Sequence, residues 1–276
     1  MKTNAMTAVV MKLFLVGMAL TGAGMMSAPA ARGAEVQVVH VYVALCDNAS
    51  QGIIPVPAKI GDGDKPDANL YWGCSDGLKS CFRASKSWKA LPAVASPRAE
   101  VLERVVFRHA TRKDVYLVAD AWRGREIKPC LQAFVNAAGA TGAAESIQVK
   151  GSDGAEVALP IGSQARWLAY IGHNGLMEFE VNWPEVPAGA SAATSRRALV
   201  LCCIGQKYFP KLGTPMALTT TQLMYPGAFI LRDALEVVFD GKSDAEVKAA
   251  AARAYAGNQK ISVKAAAGVF AVPVGD

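Results

Sequence analysis

The chain has 276 residues, 52% of them hydrophobic, and a formal net charge of +6. That length and apolar content are enough for one substantial core, and one large domain is the default. No Lys/Arg run accompanies the basic balance, which argues against nucleic acid as a partner.

The first 34 residues read as a secretory signal. Lys2 and Lys12 supply positive charge, Leu13 to Met26 is apolar, and Ala28-Pro29-Ala30 is a small-x-small cleavage site. The alternative is a retained anchor, for which the apolar run is short. The segment carries Lys2, Lys12 and Arg32 and no acid, so its removal lowers the net charge from +6 to +3. The expectation is a signal peptide over 1–34 and a single α/β domain over 35–276. The protein is then exported, periplasmic or extracellular, with no stable membrane insertion after cleavage.

Val36 to Cys46 is β-branched and almost unbroken by polar residues, which predicts the first and central strand. His40 inside it reads as a core residue. Asn48 to Leu70 is a long Pro- and Gly-containing loop. Its Gly61–Asp67 stretch holds Asp62, Asp64 and Asp67, which read as a solvated turn rather than a Ca²⁺ loop, because EF-hand spacing is absent. A helix is predicted from about Asp76 to Lys86. Strands follow over Leu102–Phe107 and Asp114–Trp122. Arg125–Ala138 is an amphipathic helix with Ile127, Leu131, Phe134 and Val135 on one side. A hairpin is expected over Ile147–Lys150 and Ala155–Leu159. Trp167–Ile171 and Ala198–Leu201 are short apolar runs of the kind that form buried parallel strands. Glu178 to Thr194, rich in Pro, Ala, Gly and Ser, reads as a loop or lid between them. Met216–Thr221 is a sixth strand, and Ala228–Phe239 and Asp244–Ala256 are helices. The apolar tail from Ile261 is expected to add a strand or a cover. This order implies a three-layer α/β sandwich on a mainly parallel sheet of about six strands.

The two apolar runs end in chemistry. The first leads into Gly172-His173-Asn174-Gly175 and the second into Cys202-Cys203. In an open α/β sheet, ligands sit beyond the carboxyl ends of the strands, so parallel neighbours would bring imidazole and thiol to one edge. That pair is the minimum for nucleophilic cysteine catalysis, with the imidazole accepting the thiol proton. Cys203 is the candidate nucleophile, because it stands where the run turns polar. Six cysteines follow the signal, namely Cys46, Cys74, Cys81, Cys130, Cys202 and Cys203, in a disulfide-permissive compartment. Their pairing is not legible from spacing. The spacings match no zinc ribbon, and no GxGxxG or Walker motif is present, so neither a metal nor a cofactor is expected.

A hydrophobic strand leading into His-Gly, then a later one leading into Cys, resembles the caspase-like cysteine peptidases. The resemblance is strong at these two blocks and loose over about Val36 to Asp240. It implies a hydrolase acting on peptide or protein substrates, with Cys203 as nucleophile and His173 as general base. It also implies an oxyanion hole from the N–H groups of Gly175 and Cys203. Asn174, standing between His173 and Gly175, departs from the family's His-Gly. The resemblance further implies that the end of the first strand lines the substrate pocket. Asp47 there, joined by Asp120 at the end of another strand, would favour Lys or Arg side chains. A helix cap or loop carboxylate is the alternative for each Asp. Two further readings are a non-catalytic exported α/β binding protein derived from that fold and a thiol-based acyl hydrolase.

Overall fold

The computed structural model describes residues 35–96, 98–142, 144–185 and 196–273. The expected signal segment and the second half of the Glu178–Thr194 loop lie outside them.

Strands β1 (Gln37–Ala44), β2 (Trp88–Ala90), β3 (Val101–His109), β4 (Val115–Trp122), β7 (Trp167–Ile171), β8 (Arg197–Leu201), β9 (Met216–Thr220) and β10 (Phe270–Ala271) form one sheet. Its order is β10-β9-β8-β7-β1-β4-β3-β2. The run from β4 through β1, β7 and β8 to β9 is parallel, and β2, β3 and β10 pair antiparallel at the flanks. The architecture is thus α/β on a large, mostly parallel mixed sheet. It has eight strands among the described residues, against the six or so expected. The additional two are edge strands of three and two residues, too short to display an alternating pattern. A separate hairpin, β5 (Ala144–Lys150) with β6 (Glu156–Gly162), falls where it was expected.

The continuous apolar runs are explained by position. β1 lies between β4 and β7 and is covered on both faces, so alternation of polar and apolar residues would leave polar groups unsolvated. Val39, Val41 and Val43 face one layer with Leu199 and Leu201, while Tyr42 and Ala44 face the other with Leu168 and Val200. The first layer holds α1 (Leu78–Arg83), α4 (Ala228–Phe239) and α5 (Asp244–Gln259), and the one-turn α3 (Gly205–Tyr208) follows β8. The second is α2 (Ile127–Ala138), whose Ile127, Leu131, Phe134 and Val135 recur at helical spacing and are all buried. Burying a side chain of the Leu168 or Leu201 kind stabilises by about 1.5–3 kcal/mol. Helix α5 begins at a capping box: the Ser243 hydroxyl accepts from the Glu246 N–H, and the Glu246 carboxylate accepts from the Ser243 N–H. It runs three residues beyond the expected end and stops at Lys260 in the left-handed region (φ 57°). The tail supplies both a short helix, α6 (Val263–Ala267), and the edge strand β10.

Candidate active site

Strands β7 and β8 are parallel neighbours in register, with Ile171 opposite Leu201, so their carboxyl ends open on the same edge. Side chains alternate between the two layers along a strand. Leu201 faces the α4/α5 layer, Cys202 therefore turns toward α2, and Cys203 returns to the side of Leu201. Cys202 has no exposed surface, and burial pushes its thiol well above the ordinary value. Cys203 is only partly buried and lines a cavity of about 600 Å³ that His173 also lines. On β7 the ladder continues one residue past the strand, with the Gly172 N–H donating to the Leu201 carbonyl at 3.3 Å. Gly172 adopts φ 144°, where a side chain is strained, and a Cβ would stand 3.3 Å from the Ala44 carbonyl oxygen.

The turn that presents Cys203 is itself strained. Ile204 occupies the left-handed region at φ 52°, an outlier for a β-branched residue. It is held by its N–H, which donates to the Gln222 carbonyl at 3.0 Å. The buried Thr220 hydroxyl accepts from the Gly205 N–H at 2.9 Å and donates to the Cys202 carbonyl. The thiol of Cys203 meets the backbone of Met224: its sulfur accepts from the Met224 N–H at 3.4 Å and donates to the Met224 carbonyl at 3.6 Å. Asn174 joins the two strand ends. Its amide donates to the Cys203 carbonyl at 2.6 Å, and its oxygen accepts from the Leu176 N–H at 3.2 Å, capping the turn Gly175–Met177.

His173 is buried, with its carbonyl accepting from the Tyr170 hydroxyl at 2.6 Å and its Nε2 paired with the Glu178 carboxylate. The same Glu178 oxygen accepts from the Gly52 N–H at 3.0 Å, which anchors it to the long loop after β1. Nε2 is thus committed to Glu178, and Nδ1 is the nitrogen left for a thiol or a substrate. The thiol's partner here is Met224, so His173 and Cys203 share a cavity without a direct hydrogen bond. Such contacts often tighten only when substrate is present.

The remaining predicted site residues stand elsewhere. Gly175 does not line the cavity. A Cβ on it would meet the Phe179 ring at 2.5 Å and Ile127 Cδ1 at 3.1 Å, which places it toward the α2 layer. Asp47 caps its own loop: its oxygens accept from the Ala49 N–H at 2.9 Å and the Ser50 hydroxyl at 2.6 Å. Asp120 faces α2, on the other side of the sheet from Cys203. Its carboxylate takes the Arg104 guanidinium bidentately, at 2.6 Å through both Nε and Nη2, and lies 3.1 Å from His40 Nε2. His40 Nδ1 accepts from the Gly162 N–H at 3.0 Å, which requires Nε2 to carry the proton in the neutral ring. Burial pushes the Asp120 carboxyl up, but the hydrogen bonds from Arg104 and His40 and their charges outweigh it and hold it at about 2. The acidic loop is likewise occupied: Asp62 pairs with Lys65, Asp64 with Arg123 and Arg125, and Asp67 with Lys79.

No family model, curated protein or solved structure matches this chain.

All six cysteines of the chain are free thiols. The edge therefore presents a reduced, partly exposed thiol and an imidazole oriented by a carboxylate, both on one cavity. Sequence reasoning missed Glu178 and Thr220, and it read Asn174 only as a departure from His-Gly, not as the amide that ties the Cys203 carbonyl to the His173 turn. Glu178 stands five positions after His173, but no local pattern marks the turn that folds it back.

Proposed function

We propose that this chain is an exported cysteine peptidase of the caspase-like kind, with Cys203 as nucleophile and His173 as general base. The observation that carries the proposal is the placement of Cys203 and His173 on one cavity at the ends of adjacent parallel strands. The position of β1 between β4 and the His173 strand, with the Cys203 strand next, agrees with it. In the first half-reaction, His173 Nδ1 takes the thiol proton and the sulfur attacks the scissile carbonyl. The tetrahedral oxyanion is met by the Cys203 N–H, with Gly175 the weaker candidate donor because it stands off the cavity. Collapse breaks the C–N bond, and the proton held on His173 leaves with the amine. In the second half-reaction, His173 deprotonates a water that hydrolyses the thioester, returning the free thiol and a carboxylic acid. Glu178 holds the imidazole in orientation throughout.

A preference for Lys or Arg rests on Asp47, and its local hydrogen bonds give that preference no support. The second reading, a non-catalytic binding protein, is favoured by the hydrogen bonding of the thiol to Met224 rather than to His173. Peptide turnover separates the two. Cys203→Ala should abolish turnover and labelling by a thiol-directed inhibitor, and His173→Ala should slow turnover by about 10²–10⁴-fold. A wild-type chain that cleaves no member of a broad peptide panel, and whose Cys203 is no more reactive than a free cysteine, supports the binding protein.

A further inference from the structure

We infer that the cleft beside Cys203 takes a peptide whose residue before the scissile bond carries a large apolar side chain, and that it disfavours Lys and Arg. This rests on the peptidase reading and names its substrate class. The cavity walls are Ile54, Val56, Tyr71, Met177, Leu223 and Tyr225, among others. Three of these stand in solvent, Ile54 at 89%, Leu223 at 67% and Met177 at 42% exposure. Single exposed apolar residues are ordinary, whereas several converging on one concavity mark a binding surface.

Charge argues the same way. No Asp, Glu, Lys or Arg lines the cavity among the described residues. The carboxylates around it are engaged: Glu178 with His173 and the Gly52 N–H, and Asp76 with the Tyr225 hydroxyl and the Asn258 amide. Tyr71 presents an uncharged ring, since burial holds its phenol well above the ordinary value. A lysine or arginine side chain entering here would lose water without gaining a counter-ion. A leucine or phenylalanine side chain would instead cover apolar surface that is now wet.

The test uses peptidyl acyloxymethyl ketones identical except for the residue at the reactive end, which is Leu, Phe, Lys or Arg. The Cys203 sulfur forms a thioether with the methylene carbon as the C–O bond to the carboxylate leaving group breaks, and mass spectrometry follows the adduct. The Leu and Phe reagents should modify Cys203 at least about tenfold faster than the Lys and Arg reagents. Ile54→Asp and Leu223→Asp, at exposed positions that leave the core intact, should each narrow that ratio. Equal or faster reaction of the basic reagents overturns the inference and leaves the peptidase reading standing. If no peptide reagent reacts while iodoacetamide still alkylates Cys203, both fall. Turnover of a medium-chain acyl ester without reaction of any peptide reagent likewise overturns both, in favour of an acyl hydrolase.

Discussion

Replacing Asp120 by Ala should be among the most destabilising changes in the molecule, without touching the cleft. Asp120 is 2% exposed and Arg104 is 5% exposed, so both charges are out of water, joined by two 2.6 Å hydrogen bonds. Removing the carboxylate strands a guanidinium in the interior and leaves His40 Nε2 without its acceptor. Breaking one partner of such a pair costs about 3–5 kcal/mol. For a domain of this size each kcal/mol shifts Tm by about 2–4 °C, so the expected loss is about 6–20 °C. Thermal unfolding followed by circular dichroism measures it. The double variant Asp120→Ala/Arg104→Met should recover much of the loss, because an apolar replacement of both partners is often neutral. The pH dependence has a definite sign. The folded carboxyl lies at about 2, below its unfolded value, so its stabilisation is complete above an unfolded pKa of about 3.9 and is lost as pH falls toward 2. The gap between wild type and variant should therefore be constant near neutrality and narrow only in that acid window. A Tm within about 2 °C of wild type at pH 7, well under the shift expected for a broken buried pair, refutes the structural role of Asp120.

Glu178→Ala should lower the rate of peptide turnover while leaving Tm little changed, because Glu178 is partly exposed and orients His173; an unchanged rate would remove it from the site. Thr220→Val keeps shape but leaves the buried Gly205 N–H without its acceptor. It should cost about 1–3 kcal/mol by denaturant titration, with a matching fall in Cys203 reactivity as the turn loosens. A thiol assay on the denatured chain should count six thiols, and the native chain should react first at Cys203 and Cys74, the two that are not buried; a disulfide at Cys203 would contradict the site.

The elements legible in the sequence are those whose periodicity is local. The Val36–Cys46, Trp167–Ile171 and Ala198–Leu201 runs became the adjacent strands β1, β7 and β8, and Ala228–Phe239 became α4 with the same bounds. Cys203 was preferred to Cys202 because the apolar run turns polar there; in the fold Cys203 lines the cavity, whereas Cys202 is buried against the α2 layer. What the chain order could not display was set by residues far apart in sequence. The His40–Asp120 contact spans 80 positions and the Gly52–Glu178 contact 126. Hydrogen-bonding capacity belongs to a side chain, but its partner is chosen by topology. Asp47 and Asp120 both follow apolar strand residues, yet one caps a loop and the other neutralises a buried arginine. The apolar character of the cleft was decided in the same way. Ile54, Tyr71, Met177 and Leu223 lie in separate stretches of the chain, and only packing of the loops over the carboxyl ends of the sheet brings them to one wall.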